Sequence, residues 1–131
     1  MHIDYITVHC SASPQNRGDT AATIHAWHRE QGWDGIGYHY VILEDGTIEK
    51  GRPDYWRGAH VKGHNDANLG ICLIGYGNDA TNEQLDALRQ LVRGLLHQHT
   101  SASLKGHNNF DLDRECPGFD VVEWYYTRSS V

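Results

Sequence analysis

The chain has 131 residues, with 17 Asp and Glu against 11 Lys and Arg, giving a net charge of −6 when its ten histidines are neutral. That length suits one domain, 1–131, able to bury roughly two thirds of its unfolded surface in a real core. The acidic balance without a basic cluster argues against nucleic acid as the main partner, and no stretch approaches the ~20 apolar residues of a membrane span.

Met1-His2-Ile3-Asp4 leads straight into the first strand with no basic or apolar leader, which predicts synthesis in the cytoplasm without a signal peptide. Tyr5 to Cys10 alternates as a strand with one buried face. Asp19 or Thr20 opens a helix to Gln31, with Ile24, Trp27 and His28 on one face and Gly32 as its stop signal. Tyr38 to Leu43 and Thr47 to Lys50 form a hairpin across Glu44-Asp45-Gly46, whose Asp-Gly pair is the turn signal. Gly51 to Asn68 is polar and rich in Gly and His, a functional loop by its length. Leu69 to Ile74 is an unbroken apolar run and therefore a central strand. Thr81 and Gln84 make a capping box for a helix through His97, with Leu85, Leu88, Leu91, Val92, Leu95 and Leu96 along its core stripe. Asp120 starts a short last helix containing Trp124. The fold class is α/β, one domain with a central mixed sheet flanked by helices.

His9, His107 and Cys116 each sit where an element ends, and a single zinc ion would account for all three. Three such ligands leave the fourth tetrahedral position to water, the catalytic arrangement, so the site would hydrolyse its substrate. Taken singly, each has a plainer reading: a hydrogen-bonded structural histidine, or a cysteine filling apolar space. No CxxC pair and no HExxH motif is present, and the i, i+3 pair His25 and His28 reads as a helix face. Three cysteines cannot pair off completely. Cys10 and Cys72 read as reduced and buried, which suits a reducing compartment of synthesis.

Val8-His9-Cys10-Ser11-Ala12, Trp27-His28 with Gly32-Trp33, and Gly37-Tyr38-His39-Tyr40 follow one another at a recognisable spacing. Gly58-Ala59-His60, His64-Asn65, Leu69 to Gly75, Gly106-His107-Asn108 and Cys116-Pro117-Gly118-Phe119-Asp120 continue the series. In order and spacing these motifs resemble the zinc-dependent N-acetylmuramoyl-L-alanine amidases of type 2, in the peptidoglycan recognition protein superfamily. The small single-domain phage endolysins are the nearest branch. The likeness runs from about Tyr5 to Trp124.

The resemblance implies one zinc ion on His9, His107 and Cys116, and cleavage of the amide between N-acetylmuramic acid and L-alanine in peptidoglycan. Tyr38 corresponds to the family's catalytic tyrosine; by strand alternation His39 then faces away and is structural. Arg114 stands where the endolysin branch commonly carries a catalytic lysine. An arginine stays charged, so it would steady an oxyanion rather than shuttle a proton, with Lys62 as the competing cation. His60 and Trp33 are expected along the substrate groove, and Tyr55 and Trp56 either there or in a satellite core. Asn65 is grouped with the groove residues, though fixing its loop through backbone hydrogen bonds suits an asparagine there better. The expected partner is peptidoglycan, met by a monomer without nucleic acid or membrane, after release or delivery to the wall by another protein. Two further readings stay open: cytosolic recycling of muropeptides, and a peptidoglycan-binding module without catalysis, against which Cys116 argues. A nuclease of the His-Asn-His type is the most distant, because its compact metal unit is missing.

Overall fold

The computed structural model describes residues 1–113 and 115–128. Along the chain lie β1 (Tyr5–Cys10), α1 (Ala21–Glu30), β2 (Tyr40–Ile42), β3 (Ile48–Lys50), β4 (Asn68–Leu73), α2 (Asn82–Gln98), β5 (Ser103–Gly106), α3 (His107–Phe110) and α4 (Val121–Arg128). The strands form one sheet in the order β3-β2-β4-β1-β5. Only the β2–β3 hairpin is antiparallel, so the sheet is mixed, as expected.

The apolar run at Asn68–Leu73 takes the central place, and every residue of it is buried. Strand β1 differs from expectation. It is buried on both faces. Ile6 and Val8 join Leu88, Val92, Leu95 and Val121 of α2 and α4 in one core. His9 pairs with Cys72 in parallel register and so shares its face, where Ile24 of α1 packs with Ile36, Val41 and Ile74. Alternation in β1 therefore records which layer a side chain meets, the helical core for Ile6 and Val8 or Tyr38 and the His60 loop for His9, not whether it meets water.

Strands β2 and β3 are shorter than the alternating pattern suggests. The backbone of Tyr38 and His39 leaves the regular ladder, yet both carbonyls still accept hydrogen bonds, from Arg52 N–H at 2.9 Å and Gly51 N–H at 2.8 Å. The capping box forms as read. Gln84 N–H donates to Thr81 Oγ1 at 3.1 Å, and Thr81 N–H donates to Gln84 Oε1 at 3.0 Å. Gln84 does more than cap: wholly buried, its Nε2 also donates to the carbonyls of Ile42 at 3.2 Å and Ile74 at 2.9 Å. One side chain thus fastens α2 to the ends of β2 and β4.

Replacing Gln84 by Ala removes its half of the capping box and leaves the buried Ile74 carbonyl without its donor, while the Ile42 carbonyl keeps the N–H of Ile74 at 3.0 Å; the change should cost about 1 to 3 kcal/mol. Urea unfolding followed by circular dichroism should show a lowered midpoint at unchanged slope. A loss under about 0.5 kcal/mol would contradict the role given to this residue.

Candidate metal centre

Strand β1 runs parallel to β5 with Val8 opposite Gly106. The next residue on each chain segment is a histidine, and the rings of His9 and His107 lie 4.6 Å apart. The loop after α3 folds back onto the same strand ends. Cys116 Sγ accepts the N–H of Cys10 at 2.8 Å, and the Cys116 carbonyl accepts that of Asn108 at 2.9 Å. One donor atom from each of His9, His107 and Cys116 falls within 4.8 Å of the other two, the only such gathering among the described residues. It sits at the carboxyl ends of parallel strands, where open α/β sheets place their ligands.

The donor set fits a zinc ion. Bonds of ~2.0 Å to nitrogen and ~2.3 Å to sulfur space two nitrogens and one sulfur roughly 3.3–3.6 Å apart in a tetrahedral set, so the three donors need only a modest closure. Two imidazoles and a thiolate suit a borderline metal, whereas calcium or magnesium would call for oxygens. All three donor residues line the same open groove.

Burial supplies the protonation states that such ligands need. His9 is only 1% exposed. Its burial, with His60 and His107 beside it, holds its pKa well below the ordinary histidine range, so the ring stays neutral. Burial also pulls His60 down to about 4. Cys10 Sγ lies 3.3 Å from Cys116 Sγ. A thiol donating to a neighbouring thiolate lowers the first ionisation of the pair and raises the second. This pairing was not legible in the sequence, where Cys10 reads as a buried filler. Only the folded return of the loop at Cys116 brings the two sulfurs together.

Above the donors opens a groove of about 780 Å³. Tyr38 lines it with its ring 5.1 Å from that of His9. Burial, and next the Cys72 thiol, push the Tyr38 pKa well up, so its hydroxyl stays protonated and can donate. Trp33 forms part of the wall, 40% exposed, its ring 4.4 Å from that of His28. Lys62 lies on the rim, exposed. His60 also lines the groove, but both its ring nitrogens are engaged inside the protein, with His9 Nε2 at 3.0 Å and the Asn68 carbonyl at 2.8 Å. Asn65 Oδ1 accepts the N–H groups of His60 and Val61, each at 2.8 Å. Tyr55 and Trp56 open instead onto a separate depression beside Met1 and Asp66, outside this groove. Arg114 lies outside the described residues.

The helical pair His25 and His28 is more than a face. Their Nδ1 atoms accept the N–H groups of Ile36 at 3.1 Å and Gly37 at 2.9 Å, so α1 clamps the segment that delivers Tyr38. Their i, i+3 spacing was the available signal. What it lacked was any hint that the partner would be backbone rather than metal. His39 faces the other way, as alternation predicts. Its Nδ1 accepts Gly70 N–H at 3.0 Å, and its Nε2 donates to the Trp56 carbonyl at 2.8 Å.

A mixed sheet with a two-histidine, one-cysteine cluster at its parallel strand ends defines an α/β protein with a candidate metal centre in an open groove. The chain belongs to the N-acetylmuramoyl-L-alanine amidase family, whose pattern matches residues 1–119. It is 38% identical over 129 residues to the endolysin of Escherichia phage T7, covering 93% of this chain and 85% of that one. Among solved structures it is similar to the endolysin amidase LysCS of Clostridium intestinale, with a TM-score of 0.87 and 32% identity over 99% of this chain and 85% of that chain. It also resembles a Drosophila PGRP-LB variant in complex with tracheal cytotoxin, with a TM-score of 0.81 and 29% identity over 94% and 79% of the two chains.

His39 gives this fold a pH dependence. Burial lowers its pKa, whereas the unfolded imidazole takes up a proton near 6.5. The stability carried by the neutral ring is therefore complete above about pH 6.5 and lost as the pH falls below it. Unfolding free energies of the metal-free protein should decline from pH 7 to pH 5, and His39→Gln should make that decline shallower. An unchanged slope in the variant would contradict this assignment.

Proposed function

We propose that this chain, as a single catalytic domain of residues 1–131, hydrolyses the amide joining the lactyl group of N-acetylmuramic acid to L-alanine in peptidoglycan. It does so as a phage or prophage endolysin, with one zinc ion per chain held by His9, His107 and Cys116. The observation that carries this reading is the meeting of those three donors at the floor of an open groove, in a chain of the amidase family. Endolysin relatives of similar length favour host-wall lysis over recycling of soluble fragments. A module that only binds peptidoglycan would have no use for the Cys116 thiolate.

An amide carbonyl is a poor electrophile. When bound, zinc supplies Lewis acidity, making water nucleophilic near neutral pH and polarising the carbonyl. The chain supplies the rest. His9 and His107 offer neutral nitrogens and Cys116 a thiolate, so acid, by protonating them, releases the metal. The Tyr38 hydroxyl donates a hydrogen bond to the developing oxyanion. Arg114, two residues before Cys116, adds a fixed positive charge to the same oxygen. Trp33 offers an aromatic wall to the glycopeptide, while Asn65 shapes the loop that carries His60. Among the described residues no helix is long and apolar enough to cross a membrane. The enzyme acts as a monomer on the wall after release or delivery by another protein, with no nucleic acid in its action.

Purified sacculi digested by the protein should gain free L-alanine amino groups and no new reducing sugar ends, and chelation should stop the reaction until zinc is restored. Tyr38→Phe and Arg114→Ala should keep their zinc but turn over about 100- to 1000-fold more slowly, the scale for loss of one oxyanion donor. Reducing ends without freed amino groups, or full activity in metal-free protein, would overturn the reading. Parental turnover in Arg114→Ala would transfer the cationic role to Lys62.

A further inference from the structure

We propose that His60 is the positioning residue of the metal centre: it fixes His9 in the tautomer whose Nδ1 lone pair is free for the metal. The inference rests on the zinc reading for its consequence, but its structural part stands on hydrogen bonding alone. A backbone carbonyl can only accept, so the 2.8 Å contact between His60 Nε2 and the Asn68 carbonyl places a proton on that nitrogen. In a neutral ring Nδ1 is then the acceptor. It faces His9 Nε2 at 3.0 Å, so His9 carries its proton on Nε2. His9 Nδ1 is left with an unshared pair, in the form a ligand requires.

The surroundings hold the ring of His60 to that job. A Cβ on Gly70 would come within 2.8 Å of it, and one on Gly58 within 2.5 Å, so two glycines make the slot in which the ring lies. Its backbone N–H is tied to Asn65 Oδ1. The carbonyl at the end of the relay belongs to a residue that is itself anchored: Asn68 is 2% exposed, accepts from Thr7 Oγ1 at 2.6 Å and donates to the His64 carbonyl at 2.7 Å. The relay therefore starts from the wholly buried central strand and ends on the first ligand. It also explains why a groove-lining histidine has no nitrogen to spare for a substrate.

The test reads ring nitrogens by 15N NMR in the full-length protein, metal-free and then titrated with zinc. Near neutral pH the metal-free protein should show His9 protonated on Nε2 and bare on Nδ1, and zinc should shift Nδ1 alone. His60→Leu should lose the fixed tautomer and weaken zinc binding about 10- to 100-fold, the usual scale for removing a partner of a ligating histidine. His60→Gln should recover most of that affinity, because its amide can accept from His9 and donate to Asn68. If His60→Leu does not fold, the Gln variant and the parental spectrum decide alone. A His9 proton on Nδ1 in the metal-free protein, or parental zinc affinity in His60→Leu, would overturn the proposal. Failure of the parent to bind zinc would sink the functional reading and leave the tautomer assignment to be scored by itself.

Discussion

Everything at the metal centre depends on the parallel register of β1 with β5. Because Val8 stands opposite Gly106, the residue after each strand pair emerges side by side at the same edge of the sheet, and both are histidines. A slip of one residue would turn one of them to the opposite face. The register is held from both sides: β1 also pairs along its whole length with the buried central strand, and Leu104 of β5 is sunk in the same core as Ile6 and Val8. The precision of the site is thus set by ladder hydrogen bonds and apolar packing remote from the donors.

That placement sets an electrostatic condition that suits the chemistry. His9 is buried and His60 half-buried next to other histidines, and a charged imidazolium there would be poorly solvated and repelled by any charged neighbour. The cluster therefore favours neutral nitrogen donors and excess negative charge on sulfur, which attracts a divalent cation and has little use for another ligand. Tyr38 follows the same logic from the opposite side. Burial that forbids its phenolate keeps it a hydrogen-bond donor, suited to an oxyanion and not to proton abstraction.

Much of this was legible in the sequence because it is encoded locally. The strand at Tyr5–Cys10, the central apolar strand and the capping box of α2 depend on neighbours within a few residues, and each forms with its bounds nearly as read. The grouping of His9, His107 and Cys116 was legible only through the order and spacing of the motifs around them, since each residue taken singly has a plainer reading. What escaped depends on contacts distant in sequence. β1 is buried on both faces because α2 packs on one while Tyr38 and the loop carrying His60 cover the other, and Cys10 meets Cys116 across 106 positions. His25 and His28 clamp Ile36 and Gly37 through hydrogen bonds that no periodicity announces. Trp33 and Trp56 have alike surroundings in sequence, yet only the turn after α1 brings Trp33 to the groove, while Trp56 follows the polar loop to another depression.

The central claim is that the register of β1 and β5 assembles one metal ion on two imidazoles and one thiolate. Zinc K-edge X-ray absorption on the zinc-loaded protein reads that ligand set directly. It should give one sulfur at about 2.3 Å and two imidazole nitrogens at about 2.0 Å, with a lighter oxygen donor completing four-fold coordination. Two sulfurs, which would bring Cys10 into the shell, or a set of nitrogens without sulfur, would contradict the account.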